Sequence, residues 1–148
     1  MRSSTTLSER GLEPTFERAS APTRVLIVDD NEAMLARAAA VLKPNCKVVG
    51  AVTGGLAALE AAEALRPEVI VLDVSMPGMT GFEVAARLRE AGSTAAIVFL
   101  TVHDDEEFVL AARAAGGIGY VVKPRLASDL TIAFQEARAG RPFTSAIR

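Results

Sequence analysis

Between Arg24 and Gly140 the chain alternates two hydrophobic rhythms. Short runs rich in Val, Ile and Leu ("RVLIVDD", "CKVVGAV", "EVIVLDV", "AAIVFLT" and "IGYVVK") predict β-strands. The third is apolar at consecutive positions, as in a parallel strand covered on both faces. Between the runs, apolar residues recur every three or four positions and predict helices. "NEAMLARAAAVLK" carries Met34, Leu35, Ala38 and Leu42 on one face and closes at Pro44. "GGLAALEAAEALRP" turns Leu56, Leu59 and Ala62 to Ala64 inward and stops at Pro67. "GFEVAARLREAG" sets Phe82, Ala85 and Leu88 in a stripe ending at Gly92. "DDEEFVLAARAAGG" has acids in its first turn, where the helix dipole favours them, and a glycine stop. "LASDLTIAFQEARAG" faces Leu130, Ala133, Phe134 and Ala137 inward, with Gly140 just past its end.

Five strands alternating with five helices imply right-handed βαβ crossovers and helices on both faces of one sheet. The expected fold is α/β: a flavodoxin-like (βα)5 doubly wound parallel five-stranded sheet of order 2-1-3-4-5. Residues 1–22 lack either period, and we expect a flexible extension there, with a short helix around Leu12 to Ala19. The domain is expected over residues 23–143 and a tail over 144–148. The chain has 148 residues, the size of one domain, and half of them are apolar. No apolar run nears the roughly 20 residues of a membrane helix, and the first residues have no signal-peptide core. A single Cys, Cys46, excludes an intrachain disulfide and reads as a small core hydrophobe. These features point to a cytoplasmic protein. A net charge of −2 carries no nucleic-acid footprint.

In such sheets ligands bind beyond the carboxyl ends of the strands, at the switch point between strands one and three. Strand one ends in Asp29-Asp30, strand three in Asp73, strand four in Thr101 and strand five in Lys123. Three carboxylates brought together repel unless a cation sits among them. Hard carboxylate oxygens suit Mg²⁺, and Lys123 and the Thr101 hydroxyl suit a phosphoryl group. Asp73 then stands as a nucleophile, since aspartyl phosphates are an established covalent intermediate. Each residue also has a plainer reading. Asp29 or Asp30 serves as a helix cap, Asp73 forms a turn before Pro77-Gly78, and Thr101 begins a turn. Lys123 is then a solvated charge and Tyr120 a core residue. "HDDEE" from His103 to Glu107 reads as the acidic start of a helix rather than a metal cluster.

The stretches "VLIVDDNE", "VIVLDVSMPGMTGFEVAARLR", "IVFLT" and "GYVVKP", in this order, resemble the receiver domain of a two-component response regulator from about Thr23 to Phe143. The resemblance implies that Asp73 accepts a phosphoryl group from a histidine kinase or phosphotransfer protein. It implies Mg²⁺ held by Asp30, Asp73 and the backbone carbonyl of Ser75, with Asp29 acting through water. It makes Lys123 a partner of the phosphoryl oxygens, Thr101 and Tyr120 the switch pair, and the Lys123-Pro124 bond cis. Such a module signals by changing a protein-binding surface; its only catalysis is its own phosphorylation and dephosphorylation. Its partners would be a downstream protein or an output domain, with a phosphorylation-dependent dimer as a further form. Ser75, Val102 and His103 flank the site as modulators, His103 tuning dephosphorylation and Val102 narrowing access of small phosphodonors. The end of the chain looks like the receiver half of a helix-turn-helix regulator, but it contains no basic recognition helix. Rival readings are a docking module that is no longer phosphorylated, an aspartate-nucleophile phosphatase, and a flavodoxin-like cofactor binder. The phosphatase wants a D-x-D after its first strand and the cofactor binder a Ser/Thr/Gly-rich loop; "DDNEAML" is neither.

Overall fold

The computed structural model describes residues 21–146. The expected helix at Leu12 to Ala19 lies outside them. The elements are β1 (Arg24–Val28), α1 (Glu32–Leu42), β2 (Lys47–Val52), α2 (Gly55–Leu65), β3 (Val69–Leu72), α3 (Gly81–Glu90), β4 (Ala96–Thr101), α4 (Glu106–Ala114), β5 (Gly119–Val122), α5 (Leu126–Arg138) and β6 (Phe143–Thr144). Short 3-10 turns, Lys43–Asn45 and Lys123–Arg125, follow α1 and β5. The sheet runs β2-β1-β3-β4-β5-β6, every pair parallel. This is the expected order with a sixth strand added beside β5.

Strand alternation divides the core into two layers. Leu26, Val28, Ile70, Leu72, Ile97, Phe99, Tyr120 and Val122 face α2, α3 and α4. Val25, Ile27, Val69, Val71, Val98, Leu100 and Val121 face α1 and α5. All these strand residues are at most 5% exposed, which explains why the central runs read as continuously apolar.

Helix ends follow local chemistry. Asn31 caps α1 by accepting from the Met34 amide at 3.0 Å. Thr80 and Glu83 form a reciprocal capping box at α3, at 3.1 and 2.9 Å. Gly92, Gly116 and Gly140 follow α3, α4 and α5 with φ of 87°, 96° and 80°, the left-handed geometry of a helix stop.

One expected face is misplaced. Leu56 is 66% exposed and Ala64 also faces solvent; α2 instead buries Gly55, Ala58 and Ala62. A Cβ on Gly55 would stand 2.8 Å from Cβ of Met79, just before α3, and 3.1 Å from Cγ2 of Val84 in α3, so the small residues let α2 sit close to α3 with Leu56 outward. Cys46 is half-buried, and its thiol donates to the Leu42 carbonyl at 3.3 Å.

Candidate functional site

The carboxyl ends of β1, β3, β4 and β5 bring the singled-out residues to one edge. In-register pairing of Val28 with Leu72 sets the next residues, Asp29 and Asp73, side by side. Both are almost fully buried, at 1% and 3% exposure, whereas Asp30 is exposed. One oxygen from each of Asp29, Asp30 and Asp73 lies within 4.8 Å of the others. Lys123 reaches in from the end of β5, with Nζ 2.9 Å from Asp29 Oδ2 and 3.4 Å from Asp73 Oδ2.

The loops hold these groups in place. Asp29 Oδ1 accepts from the Asn31 amide at 2.9 Å, and Asp73 Oδ1 from the Ser75 amide at 3.3 Å. Gly81 allows α3 to begin against the backbone of Asp73: a Cβ there would collide with the Asp73 carbonyl oxygen. Gly78 supplies a φ of 83° in the turn between them.

The electrostatics are unbalanced. Three acids face one ammonium. Burial, and then the neighbouring Asp29 charge, push the Asp73 carboxyl up to about 6, against the opposing pull of Lys123. Burial disfavours the Lys123 ammonium, but its contacts with Asp29 and Asp73 outweigh that and raise its pKa. Asp29 Oδ2 is buried, and the Lys123 ammonium at 2.9 Å is its charge partner. This donor set of hard oxygens with surplus negative charge fits a divalent cation such as Mg²⁺.

Thr101 is completely buried at the end of β4, and its Oγ1 accepts from the His103 amide at 3.2 Å. The Tyr120 hydroxyl donates to the His103 carbonyl at 2.8 Å, and the ring is 2% exposed. Burial, with the charges of Asp105 and Asp104, pushes this phenol up to about 12. The His103 ring stacks on Phe108, 3.9 Å between centroids and 2° from parallel. Its Nε2 lies 2.8 Å from Ser75 Oγ, tying the loop after β4 to the loop after β3. Val102 is 63% exposed. Phe108 was not singled out from sequence, because only the turn into α4 sets its ring against His103.

One expectation is corrected. No peptide bond among the described residues is cis, so Lys123-Pro124 is trans. Pro124 is instead the second residue of the 3-10 turn Lys123–Arg125, where its fixed φ is suited and the ordinary trans preference of about 0.5–1 kcal/mol is met. Surface depressions of about 450 and 610 Å³ open at the other end of the sheet, around Glu68, Ala95, Arg89 and Arg138, and contain none of these residues.

A doubly wound parallel sheet with paired acids, a third acid and a lysine at its carboxyl edge has the architecture of a receiver. The chain belongs to the response regulator receiver domain family, whose match spans residues 25–135. It is 36% identical over 121 residues to the nitrate/nitrite response regulator NarL of Escherichia coli K12, covering 80% of this chain and 56% of that protein. It is 39% identical over 116 residues to the positive alginate biosynthesis regulatory protein of Pseudomonas aeruginosa, covering 76% and 46%. The chain thus spans about half the length of these curated relatives. Among solved structures, the receiver domain of a NarL-type regulator from Mycobacterium tuberculosis superposes with a TM-score of 0.74 at 31% identity, covering 82% of this chain and 99% of that one. The Vibrio cholerae chemotaxis protein CheY4 gives 0.73 at 31%, with coverage of 79% and 99%. The chain is therefore a receiver-type module of two-component signalling.

Proposed function

We propose that Asp73 accepts a phosphoryl group from the phosphohistidine of a partner kinase or phosphotransfer protein, and that the modified site switches a protein-binding surface. The convergence of Asp29, Asp30, Asp73 and Lys123 at one sheet edge carries this reading. A carboxylate oxygen of Asp73 attacks phosphorus in line, the P–N bond breaks, and its electron pair leaves on the histidine nitrogen. Asp30, Asp73 and the Ser75 carbonyl would hold Mg²⁺, with Asp29 through water; the bound ion supplies charge neutralisation at the phosphoryl oxygens. Lys123, already 3.4 Å from Asp73, exchanges part of its carboxylate contact for a phosphoryl oxygen.

The aspartyl phosphate carries close to two negative charges at a buried edge, in place of the single charge of the carboxylate. Thr101 gives up the His103 amide to donate to the phosphoryl group, and Tyr120 repacks with the loop it holds. The surface of α4, β5 and α5 changes in consequence. Moving such an equilibrium from 1:99 to 99:1 takes about 5.5 kcal/mol of differential stabilisation. The module works in the cytoplasm, catalyses only its own phosphorylation and dephosphorylation, and passes the signal to a protein partner, an output domain or a second copy. His103, which links both loops, tunes the lifetime of the phosphoryl group.

The test is incubation with Mg²⁺ and a small phosphodonor or beryllofluoride, read by intact mass and tyrosine fluorescence. We expect one phosphoryl adduct in the native chain and none in Asp73→Ala. An adduct that survives Asp73→Ala, or no adduct with any donor, would remove the proposal.

A further inference from the structure

The segment after α5 bears directly on the switch residue. It turns back at Gly140 and lays Phe143–Thr144 along β5, pairing Gly119 with Phe143 and Tyr120 with Thr144. The Phe143 amide donates to the Ile118 carbonyl at 3.1 Å, and the Ser145 amide to the Tyr120 carbonyl at 2.8 Å. Tyr120 is thereby held at two points: its hydroxyl by the loop after β4, its backbone by this strand.

Strand alternation sends the next two side chains to opposite layers. Thr144 Oγ1 accepts from Arg113 of α4 at 2.9 Å. Ser145 Oγ accepts from the Val122 amide at 3.3 Å and donates to Asp129 Oδ2 of α5 at 2.7 Å. Ser145 and Asp129 are 2% and 5% exposed, so each is a buried polar group satisfied through the other. Ser128 and Arg125 complete the Asp129 shell, both at 2.9 Å. One short strand therefore grips β5 and both of its flanking helices.

We propose that residues 141–146 form a clamp coupled to the switch, whose docking on β5, α4 and α5 holds Tyr120 in its buried position and which loosens when Tyr120 or α4 shifts. Coupling between two sites is reciprocal, so the switch must alter docking as docking biases the switch. The clamp suits this task because it is short. It contributes few backbone bonds, and its main anchor, Ser145, is lost in one step once α5 and β5 change their spacing. That phosphorylation drives the movement rests on the proposed function above; the link between strand and Tyr120 does not.

The chain has one Tyr and no Trp, so its intrinsic fluorescence reports Tyr120 alone. Full-length protein is compared with Ser145→Ala, which removes the hydroxyl, and Ser145→Pro, which also removes the amide bonded to Tyr120. Without donor, we expect the Val122 amide to exchange about tenfold faster in Ser145→Ala, with an altered Tyr120 emission that is larger in Ser145→Pro. Unchanged Val122 exchange in Ser145→Ala overturns the clamp, as does faster exchange with Tyr120 emission identical to wild type. With Mg²⁺ and beryllofluoride, wild type should change its Val122 and Phe143 exchange by about threefold or more. Bound beryllofluoride with unchanged exchange overturns the coupling. Failure of every donor to modify wild type counts against the proposed function, and the donor-free comparison then decides the clamp.

Discussion

Asp73 is held in a state that the isolated domain opposes. Its folded pKa of about 6 exceeds the ordinary 3.8, because burial and then Asp29 disfavour the charged form. Between those pH values the folded chain binds a proton that the unfolded chain has released. Stability from this group is therefore full below about 4 and is lost as pH rises through 6. At one unit per 1.36 kcal/mol the loss is at most about 3 kcal/mol. In EDTA, urea midpoints of wild type should fall from pH 4 to 7, and Asp73→Asn should flatten that slope and unfold later at pH 7.5. Added Mg²⁺ should stabilise wild type more than Asp73→Asn. Equal pH slopes for the two proteins would contradict the assignment. His103 offers a second test at this scale. His103→Ala removes both the Ser75 contact and the Phe108 stack, and should change the phosphoryl lifetime several-fold while Asp73 is still modified. Identical lifetimes would leave His103 with no role in tuning.

At the scale of elements, the loop and helix after β3 hold Asp73 in place. Thr80→Ala removes one arm of the capping box and should cost about 1 kcal/mol in chemical denaturation. Gly81→Ala restricts the unfolded chain, which favours folding, but drives a methyl into the Asp73 carbonyl. The net effect should be destabilising, with slower modification of Asp73; a stabilised, fully active Gly81→Ala would refute this close approach. The glycine stops were legible in sequence because they depend on a few neighbouring residues; the capping box, equally local, was not singled out. Leu56 was misread because its helical period says nothing of how near α3 lies. β6 escaped notice because two residues carry no period, and its bonds go to β5, more than 20 residues away in the chain. The trans Lys123-Pro124 bond was missed because the expectation of cis came from the resemblance and not from the neighbouring residues.

At the scale of the whole molecule, residues 21–146 form one sheet between two helical layers, and these residues differ in what they hold. Phe99 is completely buried and meets Phe82 edge-on at 5.3 Å. Phe99→Ala should cost about 3–5 kcal/mol in urea unfolding, far more than any change at the exposed Leu110 or Ile132. By itself the sequence determined the strand–helix alternation and the class of sheet. It also determined that Asp29, Asp30, Asp73, Thr101 and Lys123 end their strands on one edge, because periodicity and strand termini are short-range properties. Only the tertiary structure decided how those groups are shared. Lys123 stands nearer Asp29 than Asp73, Thr101 and Tyr120 both bond to His103, and Ser145 closes over Asp129. Those pairings join residues 2 to 94 positions apart, and what selects among them is sheet order, crossover packing and the need of each buried polar group for a partner.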